Sequence, residues 1–330
     1  MKNILLIGGA GYVGSVITSE FLKKGYKVTV LDNFVYDNQF TVAPYIGDSN
    51  YKIVNGDMGD SKFLDNVSQD ISDVIILSGL VGDPITKKYP LESEKINDTS
   101  VKKCIDYFNG KGIAKLIFIS TCSNYGLIKD DELADENFEL TPLSLYAKAK
   151  VSNEKYLISK KKIVDYTGVV LRFSTAFGLS PRMRFDLSIS EFVKAMYDGK
   201  ELEVYDEHTW RPYCHVRDFA RLLDLVISSE KEKVNFEVFN AGGDINNSTK
   251  KMLIDEIMAH LPNAKVTYSA NGNDPRNYKV SFKKVKETLG FEPKYSVEDG
   301  VKELIEALDL GLYNDSTENK NKYGNYNINY

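Results

Sequence analysis

Tyr146 and Lys150 stand four residues apart in Tyr146-Ala147-Lys148-Ala149-Lys150, so on a helix they share one face. An ammonium beside a phenol stabilises the phenolate and draws a tyrosine pKa from about 10 toward the range of a general base. A chain with 21 Tyr meets this spacing by chance, so position has to supply the specificity. The pair opens a helix that follows an apolar strand, Leu116 to Ile119, and that strand runs into the hydroxyl-rich Ser120-Thr121-Cys122-Ser123-Asn124-Tyr125-Gly126. Ligands bind at such carboxyl edges of parallel sheets. A second group begins the chain. Gly8-Gly9-Ala10-Gly11-Tyr12-Val13-Gly14 sets glycines at G-x-x-G-x-x-G spacing between a strand and a helix, where backbone N–H groups at the positive helix end can receive a pyrophosphate. The second strand ends in Asp32, a carboxylate that can accept hydrogen bonds from ribose hydroxyls and repels a 2′-phosphate, which favours NAD over NADP. Asp57, in Gly56-Asp57-Met58 after the third strand, places another carboxylate toward the adenine end.

The elements that must position these groups read as strand, turn and helix in alternation. Ile4 to Ile7 is a strand; Val13, Ile17, Phe21 and Leu22 recur at helical spacing; Lys27 to Leu31 is the second strand. Strands near Lys52 to Val54, Asp73 to Leu77, Leu116 to Ile119 and Val164 to Leu171 follow, with helices at about Lys62 to Val67, Asn97 to Phe108 and Ser144 to Ser159. This alternation predicts an α/β fold, a Rossmann-type doubly wound parallel sheet. Beyond it lies a smaller α/β substrate-binding region. There the spacing predicts helices near Asp186 to Tyr197, His215 to Ile227, Thr249 to His260 and Val297 to Leu310, with turns at Gly242-Gly243-Asp244 and Asn271-Gly272-Asn273-Asp274-Pro275. The expected organisation is a nucleotide domain over 1–172, an interleaved substrate region over 173–312, and a polar tail over 313–330. That tail holds six Asn and few aliphatics, so it is expected to be loosely held.

Composition narrows the function classes. The 330 residues carry a formal charge of -5, with 42% hydrophobic and 27% charged residues, which suits a globular protein and offers no basic stripe for nucleic acid. No run of eighteen apolar residues occurs, and Ile4 to Ile7 leaves no room for a signal peptide, so neither membrane nor export is expected and a cytoplasmic location is. The three cysteines (Cys104, Cys122, Cys214) and three histidines (His208, His215, His260) show no metal-ligand spacing, so no metal is expected. Only seven cations are Arg, and all of them (Arg172, Arg182, Arg184, Arg211, Arg217, Arg221, Arg276) lie beyond residue 171. Guanidinium forks bind phosphate oxygens in pairs. The asymmetry therefore fits a first half that holds pyrophosphate with backbone N–H groups and a second half that grips a charged substrate.

Together these motifs resemble the extended short-chain dehydrogenase/reductase superfamily, in its NAD-dependent nucleotide-sugar epimerase/dehydratase branch, over the chain to about residue 310. The resemblance implies NAD held by Gly8, Gly11, Tyr12, Val13, Gly14, Asp32, Asn33, Asp57, Met58, Leu77, Gly79 and Lys150. It implies that Tyr146 takes the proton from a sugar hydroxyl while hydride leaves the same carbon for nicotinamide, that Lys150 tunes Tyr146 and holds the nicotinamide ribose, and that Thr121 hydrogen-bonds the reacting oxygen. Cys122, Ser123 and Thr175 join the substrate set with Thr121. Arg211 and Arg276 match positions that clamp a nucleotide diphosphate, and Arg182 and Arg184 are divided between a substrate contact and loop packing. Arg172, Arg217 and Arg221 read as structural, and His208 and His215 as packing or hydrogen-bonding residues.

Three departures bear on the reaction. Sugar 4,6-dehydratases carry an acid after the catalytic Thr, because expelling a hydroxyl and removing a neighbouring proton need an acid and a base; Cys122 and Ser123 stand there. Thr175 replaces an Asn common in relatives, and Leu77-Ser78-Gly79-Leu80 replaces His-x-Ala-Ala. The run Ser180-Pro181-Arg182-Met183-Arg184, with Thr175 and Trp210-Arg211-Pro212-Tyr213, is similar to a subgroup that includes GDP-manno-heptose 4-dehydrogenases of capsule pathways. The expected function is NAD-dependent oxidation or epimerisation at C4 of a nucleotide-diphosphate sugar, GDP-linked by that likeness, in a homodimer. A 4-keto-sugar reductase or a noncatalytic NAD-binding regulator are the alternatives.

Overall fold

Short runs of β-branched and aliphatic residues separated by glycine turns build the frame. A computed structural model describes residues 2–330 apart from 68, 130, 271 and 273, so Asn271 and Asn273 of the expected turn lie outside the described residues. The strands are β1 (Asn3–Ile7), β2 (Lys27–Asp32), β3 (Tyr51–Asn55), β4 (Asp73–Ile76), β5 (Lys115–Thr121), β6 (Thr167–Phe173), β7 (Thr175–Phe177), β8 (Leu202–Tyr205), β9 (Trp210–His215), β10 (Glu237–Ala241), β11 (Asn247–Thr249) and β12 (Val266–Ser269). The helices are α1 (Tyr12–Lys23), α2 (Ser61–Val67), α3 (Asp83–Lys88), α4 (Pro90–Glu94), α5 (Ser100–Tyr107), α6 (Leu145–Ser159), α7 (Ser188–Tyr197), α8 (Val216–Ser228), α9 (Lys231–Val234), α10 (Lys250–His260), α11 (Lys283–Leu289) and α12 (Val297–Asp309). Among the described residues no helix is long and apolar enough to cross a membrane.

Seven strands form one parallel sheet in the order β3-β2-β1-β4-β5-β6-β10. Its two faces are covered by different helices, because successive strand residues point to opposite sides. Ile4 and Leu6 pack with Ile17 and Phe21 of α1 and Phe219, Leu222 and Val226 of α8. Leu5 and Ile7 pack with Leu64 of α2 and Val101 and Ile105 of α5. The winding reverses between β1 and β4, which opens a crevice at their carboxyl ends.

A third apolar cluster builds the smaller region from Met183, Val193, Met196, Leu253, Ile257 and Leu304, and Tyr12 and Val16 of α1 belong to it. The small sheets β11-β9-β7 and β12-β8 flank this cluster. The later residues also return to the large sheet, since β10 pairs with β6.

Residues 313–330 correct the expectation of a loose tail. Phe185, Tyr313 and Tyr323 form a cluster of three rings, with Phe185 5.2 and 6.0 Å from the two tyrosines and these 5.6 Å apart, and both Tyr323 and Asn325 are buried. Aromatic rings and backbone hydrogen bonds hold a segment that its aliphatic content could not.

Gly14 shows how closely turn and helix must meet. A Cβ there would lie 2.3 Å from Gly8 O and 2.7 Å from Gly9 Cα, both backbone atoms with nowhere to move. A Gly14→Ala protein is expected to lose about 1–3 kcal/mol of stability and to bind NAD more weakly, read by thermal unfolding and by NAD titration.

Candidate active site

Gly8 adopts φ +90, and a Cβ on it would stand 2.8 Å from the Ser78 backbone, so glycine lets the turn after β1 press against the loop after β4. Gly11 caps α1 and, having no side chain, makes no side-chain cap to the first turn of that helix. The first-turn N–H groups of Tyr12 and Val13 therefore remain available for an anion. Asp32 is fixed at the end of β2 by accepting hydrogen bonds from Ala10 N (3.0 Å) and Phe34 N (2.9 Å). Burial pushes its carboxyl above the ordinary value, and the two N–H groups oppose that rise. A cavity walled by Leu31 and Ile96 brings Asp32, Asn33, Asp57 and Met58 onto one lining. Its lining sets the Asp32 and Asp57 carboxylates beside apolar side chains.

Leu77 and Gly79 lie in the loop after β4, where Leu77 N and Ser78 N both donate to Ile7 O at 2.9 Å. Sequence reasoning missed the residue that shapes this loop. Buried Asn97 accepts from Leu80 N (2.7 Å) and donates to Leu80 O (2.9 Å), while Asn153 of α6 donates to Asn97 O (2.6 Å). Nothing in the local pattern around Asn97 marks a clamp of this kind.

Ser144 caps α6 by accepting from Ala147 N at 3.1 Å, which sets Tyr146 in the first turn and Lys150 one turn later. Lys150 is buried, donates to Ile119 O at 2.6 Å, and its Nζ lies 5.7 Å from the Tyr146 ring centroid. Burial pushes the Tyr146 hydroxyl above its ordinary range; the Arg184 guanidinium pulls it back and the Asp83 carboxylate adds to the rise. Burial lowers the Lys150 ammonium to about 7 against the opposing pull of Glu154. The unfolded chain thus binds more protons at Lys150 between pH 7 and its ordinary value of 10.5, so this group makes stability rise with pH across that window. A Lys150→Met protein is expected to lose that part of the rise, measured as melting temperature of the NAD-free proteins at pH 7 and 9.

Thr121 ends β5, buried, and its Oγ1 accepts from Ser123 N at 3.1 Å. Ser123 Oγ lies 3.1 Å from Tyr278 Oη, so these hydroxyls line the way from Thr121 toward the arginines. Cys122 departs from the expected substrate set. Its thiol points into the core, donates to Arg172 O at 3.1 Å and is pushed up to about 12 by burial. Thr175 sits on β7 beside Tyr213 of β9.

Arg211 and Arg276, 65 residues apart in the chain, converge on one carboxylate. Asp274 accepts from Arg211 Nη2 (3.1 Å) and from Arg276 Nε and Nη2 (2.7 and 2.8 Å), and burial notwithstanding, the arginines hold its carboxyl well below the usual range. Asp83 Oδ2 is 3.6 Å from Arg276 Nη1, and its Oδ1 is buried without a partner. The Arg211 guanidinium lies 5.0 Å over the ring of Tyr278. Arg182 and Arg184 are elsewhere. Arg184 pairs with Asp186 through Nε at 2.9 Å and Nη2 at 2.5 Å, and Arg182 stacks 4.7 Å over Tyr36, just past Asp32. Arg182 thus acts on the Asp32 carboxylate, whereas Arg184 acts on Tyr146.

The remaining arginines and histidines have structural partners. Arg172 pairs with Glu154 at 2.8 Å, Arg221 with Asp218, and Arg217 lies 3.7 Å from Glu303 rather than on Asp218 or Asp224. His215 caps α8 and meets Glu303 at 2.7 Å, while His208 is exposed beside Glu207. Glu256, His260 and Glu298 bring one ligand atom each within 4.8 Å of one another on α10 and α12, a grouping too spread in sequence for spacing to reveal.

A dinucleotide turn at the switch point of a doubly wound sheet, with a tyrosine–lysine pair at the neighbouring strand end, defines an α/β oxidoreductase-type enzyme. Residues 4–242 match the NAD dependent epimerase/dehydratase family, and the chain belongs to it; its cofactor is NAD. Low-salt glycan biosynthesis protein Agl12 of Haloferax volcanii is 26% identical, covering 92% of this chain and 97% of that protein. UDP-glucose 4-epimerase of Lacticaseibacillus casei is 25% identical, covering 92% and 95%. Among solved structures, dTDP-glucose 4,6-dehydratase from Bacillus anthracis in complex with NAD superposes with a TM-score of 0.82 at 25% identity, covering 96% of this chain and 98% of that one.

Proposed function

We propose that the protein oxidises or epimerises C4 of a nucleotide-diphosphate sugar. The carrying observation is that Tyr146, with Lys150 Nζ 5.7 Å from its ring centroid, feels the charges of Asp83 and Tyr278, the same two residues that meet Arg276 and Arg211. A sugar whose diphosphate lies on those arginines reaches Tyr146 from the side opposite the cofactor. NAD, when bound, supplies the hydride acceptor and a positive charge. Tyr146 Oη takes the C4 hydroxyl proton, Thr121 Oγ1 holds that oxygen, and the Lys150 ammonium stabilises the phenolate. The C4–H pair leaves as hydride, so the carbon becomes a ketone; an epimerase then returns hydride to the other face. A cationic cofactor ring beside Tyr146 would offset the burial that raises its hydroxyl.

Arg211 and Arg276 bind the diphosphate, and Asp274, which accepts hydrogen bonds from both, holds their guanidinium groups together. Arg276→Ala is expected to raise KM at least about tenfold with a smaller change in kcat, the pattern of a lost binding contact. Dehydration has little support in the residues present, since Cys122 faces the core and Ser123 is no acid. The nucleotide is proposed to be GDP from the likeness of Ser180 to Arg184 to the heptose-modifying subgroup. The proposal also places the enzyme in the cytoplasm as a homodimer packed through α5 and α6, tested by sedimentation. GDP-, UDP-, dTDP- and CDP-sugars assayed with NMR of the product sugar test the reading; no change at C4 of any of them overturns it.

A further inference from the structure

We propose that residues 323–330 form a strap over the NAD site that retains the dinucleotide through successive turnovers. The inference deepens the reading above and rests on its cofactor site. The segment is anchored on four loops that surround the crevice between β1 and β4. From the smaller region, Phe185 N donates to Tyr323 O (2.8 Å) and Arg182 Nη2 to Gly324 O (3.1 Å). Asn325 N then donates to Asp186 Oδ2 (3.1 Å), and Asn325 Nδ2 crosses to Val81 O in the loop after β4 (3.0 Å). Farther along, Asn329 N donates to Val35 O in the loop after β2 (2.8 Å). Finally Tyr330 Oη donates to Asp57 Oδ2 after β3 (2.7 Å), its ring 4.6 Å from Lys95 Nζ. Ile328 packs on the apolar cluster that contains Val35, Met58 and Ile96.

The path therefore runs from the loop at Arg182–Asp186 past the loops after β4 and β2 to Asp57, which lines the same cavity as Asp32. On and beside this path lie buried polar atoms with no hydrogen-bond partner among the described residues. Arg182 is 2% exposed and its Nε is unpaired, and Tyr36 Oη and Asn325 Oδ1 are also buried and unpaired. A guanidinium N–H and a phenol beneath a strap, next to the turn that receives pyrophosphate, are a donor set for an anionic, hydroxyl-bearing ligand. Bound dinucleotide would satisfy them, and it could leave only after the anchors on Val81, Val35 and Asp57 open. Retention of this kind suits an enzyme that returns its hydride within one site.

The test loads the full-length protein with NADH, chases it with excess NAD and follows NADH fluorescence, for the wild type and for Asn325→Ala combined with Tyr330→Ala. The double variant is expected to release NADH at least about tenfold faster, since such contacts act chiefly on dissociation, and to emerge from gel filtration with less bound NAD. Equal release from both proteins overturns the strap. Should the variant fold poorly, amide exchange of residues 323–330 in the unaltered protein decides: slower exchange with NAD is expected, and unchanged or faster exchange overturns the proposal. A wild type that binds no NAD would overturn the cofactor reading and the strap with it, whereas binding with equal release overturns the strap alone.

Discussion

Tyr146→Phe is expected to lower turnover about 10²- to 10⁴-fold, the range for losing a positioned proton acceptor, and to leave NAD bound. The ring stays in place on the first turn of α6, so Lys150 keeps its hydrogen bond to Ile119 O at 2.6 Å and the cofactor turn is untouched. Measuring kcat on the best nucleotide sugar and NAD content side by side separates chemistry from binding. Full activity in this variant would sink the mechanism. An equal loss of NAD would instead show that Tyr146 supports the cofactor site. Thr121→Val is expected to cost less, because it removes one hydrogen bond to the reacting oxygen and keeps the base.

The second large effect concerns stability. Arg172 at the end of β6 reaches Glu154 of α6 through Nε (3.2 Å) and Nη2 (2.8 Å) and Tyr125 Oη through Nη1 (2.9 Å). Glu154 also accepts from Asn124 Nδ2 at 2.8 Å and from Ser120 Oγ, and both charged groups are buried. Arg172→Met is expected to cost about 3–5 kcal/mol, because Glu154 would remain as an unpaired buried charge. Adding Glu154→Leu is expected to recover much of that loss, since an apolar pair of similar volume removes the stranded carboxylate. Chemical denaturation of the single and double variants checks both statements. The same pair fixes α6 against the sheet, so the single variant should also lower kcat by shifting Tyr146.

The first half of this architecture was legible because each central strand is buried on both faces and so reads as an unbroken apolar run, Ile4 to Ile7 or Leu116 to Ile119. The later strands were harder. β7, β8, β11 and β12 have three or four residues each, too few for an alternating pattern to emerge beside helices of ten or more. The pairing of Tyr146 with Lys150 was legible through helical spacing, and the ammonium lies 5.7 Å from the ring centroid, whereas Thr121 was assigned through the family likeness. Asn97, Asp83 and Asp274 were not, because each acts through tertiary neighbours with no motif of its own. The direction of Cys122 was hidden for a related reason: beyond a strand end the backbone turns, and alternation no longer says which side chain faces the crevice. The final residues misled because hydropathy counts aliphatic area, while Tyr313, Tyr323 and Asn325 are held by rings and amides.

The return of β10 to the outer edge of β6, after the smaller region has been threaded, sets a schedule for the growing chain on the ribosome. When residue 173 has emerged, the sheet has its first six strands, yet α8, which covers Phe21 and Val169 on one face, and the strand that closes the β6 edge are still to be made. Nascent chains at that stage carry an open strand edge and a bare apolar face, both templates for misassembly. Release of partly made chains, or a stop shortly after residue 172, should therefore yield aggregates rather than a free-standing nucleotide domain.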